Sequence, residues 1–387
     1  MPNSINICIL INDTIIATHH GVRRYLLSLY DSLRRDGCNV YVINEKNISE
    51  KRILKVDSDL IFNNGFSDNT CIGSSRREIS KKLSNGQVAK ILKERRGDVG
   101  VSYEKITNFP ECFDLCIVGA PWIISDKFNY PKARRYICIA YDAVPNLYYF
   151  QRPWDSGLHL FANEHLFGYK WADENGSGLF CISELTASQC SEFGFGKNSG
   201  LHVLPPIIPP GYSTLDLRKI TTARGRVALL AAPFDRRKGL QKIPELLNCG
   251  DFDSLLIYGR PRCSDEDLSN FFKNVEIENI EWWCDVDFNK QVDLYTAAKV
   301  MIFPSLNEGL GFPILEAYAC GTSVLVTNIE PLNKLTLPED VLVSGYTSSQ
   351  VLERAKSSIN SLAYREHVEK ICGNISHNTF LNKIMKL

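Results

Sequence analysis

Ile5 to Ile11 is a run of strand length broken only by Asn6, the pattern of a strand covered on both faces. Between Gly21 and Asp36 the apolar residues Val22, Tyr25, Leu26, Leu29, Tyr30 and Leu33 recur on one helical face, and Gly37 ends the helix before the strand-like Val40 to Ile43. Strand, helix and strand in that order predict a βαβ unit. Further apolar runs at Leu115 to Val118, Ile137 to Ala140 and Leu179 to Ile182 each end at polar, Gly or Pro residues, so the first half reads as an open α/β sheet.

The alternation breaks at Pro205-Pro206-Ile207-Ile208-Pro209-Pro210-Gly211, where the density of proline suits neither helix nor central strand and predicts a stiff linker that also serves as a hinge. It then restarts with Val227 to Leu230, a helix near Leu240 to Leu247, Leu255 to Tyr258, a helix near Phe288 to Ala298, Val300 to Phe303 and Val324 to Val326. The expectation is α/β throughout: two open parallel-sheet, Rossmann-like domains, residues 1–206 and 207–370, facing each other across a cleft that receives the ligand at the carboxyl ends of the strands.

Composition supports this. A chain of 387 residues, at about 150 per domain, suggests two or three cores. With 44% hydrophobic and 23% charged residues it falls among ordinary globular proteins, which excludes disordered and collagen-like classes. Lys plus Arg and Asp plus Glu both total 44, so no general nucleic-acid coat is expected and charged partners must be met locally. No window of about 18 apolar residues occurs and the N-terminus lacks a leader pattern, so neither a membrane span nor a secretory signal is expected. The 13 cysteines form no CxxC pair, and many lie inside apolar runs. They read as reduced core thiols of a cytoplasmic protein, and no metal site is expected.

The chemistry concentrates in Phe303-Pro304-Ser305-Leu306-Asn307-Glu308-Gly309-Leu310-Gly311-Phe312-Pro313-Ile314-Leu315-Glu316-Ala317 and on to Gly321. A strand ends, a glycine loop follows, and Pro313 falls where a first helical turn tolerates it. Glycines admit a ligand close to backbone N–H groups, and a helix N-terminus favours a phosphate. Glu316, expected in the first turn, has two acceptor oxygens suited to a ribose diol, and Glu308 could hold sugar hydroxyls. The plainer reading is that Glu316 complements the helix dipole and the glycines turn the chain.

This string resembles the signature of the retaining family-4 glycosyltransferases of the GT-B fold: two glutamates separated by seven residues within Pro304-Ser305, Glu308-Gly309, Gly311-Phe312-Pro313 and Glu316-Ala317. The resemblance implies that Glu308 contacts the donor sugar, that Gly309, Leu310, Gly311 and Phe312 offer amides to sugar and diphosphate, and that Glu316 holds the nucleotide ribose. Asp235-Arg236-Arg237-Lys238-Gly239 is similar to the family's basic loop, which makes Lys238 the diphosphate-gripping lysine. The arginine usual six residues earlier is Ala232 here, leaving Arg236 or Arg237 to substitute. The segment near 371–387 is expected to pack back on the first domain, as in similar enzymes.

In the first domain, Thr18-His19-His20-Gly21-Val22-Arg23-Arg24-Tyr25 is similar to the family's glycine loop, with Arg23 in place of its second glycine; the N–H groups of Gly21 and Val22 become candidates for donor phosphate or acceptor. Tyr141-Asp142-Ala143-Val144-Pro145 falls where the family has a histidine and an aspartate near the transferred sugar. Asp142 is available for sugar contact, and Tyr141 can donate one hydrogen bond, although a phenol with a pKa of about 10 is a poor base. Ser183 suits a helix N-cap.

One feature lies outside every motif. Between Ser74 and Gly97, Arg76, Arg77, Lys81, Lys82, Lys90, Lys93, Arg95 and Arg96 alternate with Ile79, Leu83, Val88, Ile91 and Leu92. Such a stretch either lies on an anionic membrane surface or is a solvated helix pair packing its apolar face on a sheet.

The resemblance implies an enzyme: a retaining hexosyltransferase, mannose being a family-level choice, that needs no cofactor beyond its nucleotide-sugar donor. Its acceptor is a glycan or lipid-linked oligosaccharide in surface polysaccharide synthesis, met at the inner face of the cell membrane. The rival is a non-catalytic GT-B subunit that binds sugar nucleotide or glycan for a partner enzyme, supported by the departures at Arg23, Tyr141 and Ala232.

Overall fold

The computed structural model describes residues 5–17, 20–56, 69–94, 101–125, 130–149, 156–204, 207–208, 210–213, 215, 224–342, 348–357, 361–373 and 384. The chain divides into two compact units.

The first unit carries β1 (Asn6–Ile11), β2 (Asn39–Asn44), β6 (Leu115–Val118), β7 (Tyr136–Ala140), β8 (Leu179–Cys181) and β9 (Leu201–Val203), paired in the order β2-β1-β6-β7-β8-β9 and parallel throughout. The continuous apolar strands fit this arrangement: Ile7, Ile9, Ile117 and Ile139 are all buried because helices cover both faces of such a sheet. The helix expected from Gly21 to Asp36 runs His20–Arg35. Ser183 caps its helix by accepting from Thr186 N at 3.1 Å. A small antiparallel pair joins β3 (Arg52–Leu54) to β5 (Tyr103–Lys105).

The second unit carries β10 (Val227–Ala231), β11 (Ser254–Tyr258), β12 (Asn279–Cys284), β13 (Val300–Phe303), β14 (Ser323–Thr327) and β15 (Val341–Leu342) as parallel strands. The order across the sheet is β15-β14-β13-β10-β11-β12-β4, and β4 (Thr70–Gly73) runs antiparallel to β12.

That last strand corrects the expected division at residue 206. Unit 1 comprises residues 1–61, 101–210 and 371–387, whereas 62–100 belong with 211–370. The reason is apolar burial: Ile72, Ile79, Leu83 and Val88 enter the same core as Phe271, Phe272 and Trp282. At about 25 cal/mol per Å² of buried apolar surface, four such side chains contribute several kcal/mol toward holding the segment there. The membrane-lying reading of Ser74 to Gly97 thereby loses its apolar stripe, and the packed helix pair is what forms, as Arg76–Ser84 and Gln87–Glu94. Arg95 and Arg96 lie outside the described residues.

Of the expected hinge, Pro205, Pro206 and Pro209 lie outside the described residues, while Pro210–Ser213 makes a short helix. Most of 371–387 also lies outside them. Among the described residues no helix is long and apolar enough to cross a membrane.

Candidate active site

In the second unit two loops meet at the carboxyl ends of adjacent strands. After β10 the chain makes a basic turn, Arg236–Lys238, capped by Asp235, whose carboxylate accepts from Arg237 N at 2.8 Å. Gly239 closes the turn at φ +75°, and a Cβ there would come 2.2 Å from the carbonyl oxygen of Pro304, so glycine is required both by the left-handed backbone and by the approach of the second loop. That second loop follows β13 and is fastened to the first where Leu306 N donates to Arg237 O at 2.8 Å, and within it Ser305 Oγ donates to Glu308 Oε1 at 2.6 Å.

This knitting places three charges together. Lys238 Nζ forms an ion pair with Glu308 Oε1, Arg237 Nη1 lies 3.4 Å from Glu308 Oε2, and the same guanidinium donates to Asn307 O at 2.5 Å. Lys238 also sits 4.8 Å from the centre of the Phe303 ring. Burial drives the Lys238 ammonium below its ordinary range, with Arg237 adding to the effect and Glu308 opposing it. Burial pushes the Glu308 carboxyl upward, but Lys238, Arg237 and Ser305 together outweigh it and the net shift is downward. Two cations on one buried carboxylate leave positive charge to spare, an arrangement that accepts an anion.

Gly311, at φ +105°, is the N-cap of the helix Phe312–Ala319, with Pro313 in its first turn. The helix begins at Phe312, so Glu316 is its fifth residue and falls in the second turn, a correction that removes the dipole-complementing reading. Glu316 is fully buried and accepts at Oε2 from Gln291 Nε2 at 3.0 Å and from Tyr295 OH at 2.9 Å. Tyr258 OH joins the group, 2.7 Å from Tyr295 OH and 3.0 Å from Gln291 Nε2. Gln291, Tyr295 and Tyr258 carry no signal in the sequence reading, and Ser305 enters it only as part of the Pro304-Ser305 string, without a role. Only the spacing of Gln291 and Tyr295, four apart on one helix face, signals a shared task.

The other candidates separate. Arg236 is turned away, its Nη2 3.1 Å from Asp267 Oδ1 on the helix Asp265–Asn274, because Asp267 belongs to that helix's capping box with Ser264. Of the two arginines proposed to replace the one missing at Ala232, Arg237 alone points to Glu308. Gly309, Leu310 and Gly311 are buried in the loop, and Phe312 is half-buried.

In the first unit Gly21 is exposed with open space around it. Thr18 and His19 lie outside the described residues. Arg23 is 4% exposed and lines a cavity of about 20 Å³ with Ile9, Ile11, Leu26 and Val42, so the residue replacing the second glycine points into its unit's core. Tyr141 is also buried, its ring edge-on to Tyr25 at 5.6 Å and its hydroxyl without a hydrogen-bond partner among the described residues. Burial, with Tyr25 and Cys138 nearby, drives its phenol well above the ordinary range, which takes it further from acid–base work at neutral pH. Asp142 is half-buried, and its backbone carbonyl accepts from Tyr169 OH at 3.0 Å. Among the described residues no three His, Cys, Asp or Glu side chains group as a metal ion would need.

Residues 236–355 match the family described as glycosyl transferases group 1. The chain is 34% identical over 76 residues to the serotype-specific mannosyltransferase WbdA of Escherichia coli, a match covering 19% of this chain and 9% of that protein. It is 49% identical over 39 residues to the O-antigen chain mannosyltransferase B of Escherichia coli, covering 10% of each. The matched stretches thus span about a tenth of these curated relatives. Among solved structures, WaaG, a glycosyltransferase involved in lipopolysaccharide biosynthesis, superimposes with a TM-score of 0.57 at 15% identity over 96% of each chain. The basic turn and the two-glutamate loop both lie inside the stretch that is similar to the group 1 glycosyl transferases, and along the whole chain the fold is that of GT-B glycosyltransferases such as WaaG.

Proposed function

We propose that this chain transfers a hexosyl group, mannose foremost, from a nucleoside-diphosphate sugar to a hydroxyl of a glycan or lipid-linked oligosaccharide, with retention at the anomeric carbon. The observation that supports it most directly is the joining of Lys238, Arg237 and Glu308 at the carboxyl ends of β10 and β13. The diphosphate takes over Lys238 and Arg237, and the freed Glu308 carboxylate accepts hydrogen bonds from the sugar. As the bond from the anomeric carbon to the diphosphate oxygen breaks, charge grows on that oxygen and the two cations stabilise it, as positioned charges do in a water-poor site. The acceptor oxygen bonds to the same carbon from the same face, and its proton passes to the departing diphosphate. No protein base is needed, which accommodates the buried phenol of Tyr141. Glu316, oriented by Gln291 and Tyr295, receives the ribose hydroxyls.

Mannose is favoured by the two mannosyltransferase relatives, and a surface polysaccharide by the O-antigen enzyme among them. We place the reaction at the cytoplasmic face of a membrane. With the apolar stripe of 74–94 committed to the core, any hold of that segment on the lipid would come from its exposed cations alone. A thermal-shift screen across nucleotide sugars identifies the donor, since a ligand that binds only the folded state raises its apparent stability. NMR of the product then tests retention, and an inverted anomer overturns it.

The second reading, a non-catalytic subunit, is favoured by the inward-pointing Arg23 and Tyr141 and by the missing cation at Ala232. Nucleotide binding without turnover on any acceptor pool would establish it in place of the first.

A further inference from the structure

The geometry points to Asn69 as a positioning residue for the nucleotide-ribose site, acting through the cap of the helix Phe288–Ala297; this rests on the reading above that Glu316 holds the ribose.

β4 runs antiparallel to β12 with Thr70 opposite Cys284, so the chain enters β4 at the carboxyl end of β12, the ligand-bearing edge of such a sheet. The residue at that entry is Asn69. Its Nδ2 donates to Asp287 Oδ2 at 3.0 Å, and its Oδ1 accepts from Asp287 N at 2.9 Å. Asp287 is the N-cap of the helix, accepting at Oδ1 from Lys290 N at 2.7 Å. One carboxylate therefore serves the helix with one oxygen and Asn69 with the other. Four and eight residues beyond the cap, on one helix face, stand Gln291 and Tyr295, the two donors to Glu316.

A second tie reaches the same loop from the far end of the segment. Arg260 donates through Nη1 to Leu92 O at 2.8 Å and through Nε to Asp285 Oδ1 at 2.7 Å. Asp285 holds φ +52°, in the left-handed region that few non-glycine residues other than Asp and Asn adopt. Residues 69 and 92 thus fasten the turn 285–287 from two sides, and that turn sets the start of the helix on which the Glu316 donors ride. A segment that merely completed a sheet edge would need neither tie. The placement of the ribose carboxylate depends on it.

The probes are guanosine and uridine diphosphate and their 2′,3′-dideoxy counterparts, titrated calorimetrically into the full chain. The wild type should prefer the ribonucleotide. Asn69→Ala should lose about three- to tenfold in affinity for it, the range expected for a disturbed helix cap, while affinity for the dideoxy compound stays nearly constant. Asp287→Ala removes the helix cap as well as the tie and should lose at least as much, and adding Asn69→Ala to it should cost little more, because the side-chain linkage is already broken. In the wild type, saturating diphosphate should slow amide exchange at residues 69–73 together with 287–295. An unchanged ribo-to-dideoxy ratio in the folded variants, or protection confined to 287–295, overturns the inference while leaving the transferase reading intact. A wild type that binds neither diphosphate overturns the transferase reading itself, and the inference with it.

Discussion

Tyr295 donates a 2.9 Å hydrogen bond to Glu316, and both side chains are fully buried. A buried carboxylate is costly unless its oxygens are satisfied, so this contact fixes the carboxylate proposed to receive the ribose before any ligand arrives. Tyr295→Phe should raise KM for the donor by roughly tenfold, the worth of one hydrogen bond to a charged group, with kcat nearly unchanged. Initial-rate measurements over a range of donor concentrations check the split.

Glu308 should behave in the opposite way. Glu308→Gln keeps the size of the side chain but removes the charge that Lys238 and Arg237 face. Turnover should fall by about a hundredfold or more, a magnitude typical for loss of one electrostatic partner of the reacting groups. Single-turnover rates at saturating donor should show the loss in the chemical step. A variant with wild-type turnover would remove Glu308 from the mechanism.

Gly239→Ala tests the knitting of the two loops. The added methyl would meet the Pro304 carbonyl at 2.2 Å from a backbone at φ +75°, so the strain and the clash should together cost about 2 kcal/mol or more. Because Gly239 directly follows Lys238 and Pro304 opens the loop that carries Glu308, activity should fall alongside the urea midpoint.

Asp340 supplies a pH signature. It is fully buried, receives a hydrogen bond from Tyr318 OH and is paired with Arg354, yet burial outweighs these partners and pushes its carboxyl from 3.8 up to about 6. A folded-state pKa above the unfolded one means that the neutral form is favoured on folding. This contribution is therefore full below about pH 4 and lost as pH rises through about 6, a change of about 3 kcal/mol for a shift of two units. The stability difference between wild type and Asp340→Asn, from denaturant curves at successive pH values, should widen across that window against the wild type.

Burial of the 69–94 segment has a measurable energetic consequence. Ile79 is fully buried in the second unit's core, so Ile79→Ala should cost about 2–5 kcal/mol. By contrast, Lys81→Gln with Lys90→Gln, both on exposed positions, should leave stability within about 0.5 kcal/mol. Co-sedimentation of that double variant with anionic liposomes measures what the cations alone contribute at the membrane.

What could be read in advance follows the range of each signal. The loop from Pro304 to Gly311 was legible because strand end, glycines and helix start are neighbours in sequence, so local chemistry specifies them. The family resemblance assigned Lys238 and Glu308 to the same donor, but their ion pair, 70 positions apart, was not legible, since spacing alone joins no such residues. Tyr295 and Gln291 carried no sign beyond their common helix face. In the 69–94 segment, periodicity marked Ile79, Leu83 and Val88 as one apolar stripe, and all three are buried. It could not say against which sheet, because an amphipathic face records that a partner exists and not where in the chain it lies.

The addition of β4 to the far edge of the second sheet has a consequence for biosynthesis. At about 5–20 residues per second the ribosome releases Thr70–Gly73 roughly ten to forty seconds before Asn279–Cys284. Through that interval Ile72, Ile79, Leu83 and Val88 have no core to enter, and the first unit must close without them. The second unit's last strand is thus made early and placed late, a long-range pairing of the kind that slows folding and exposes apolar segments to aggregation on the way. A chaperone that holds this stretch during translation should raise the yield of folded protein more than one acting after release.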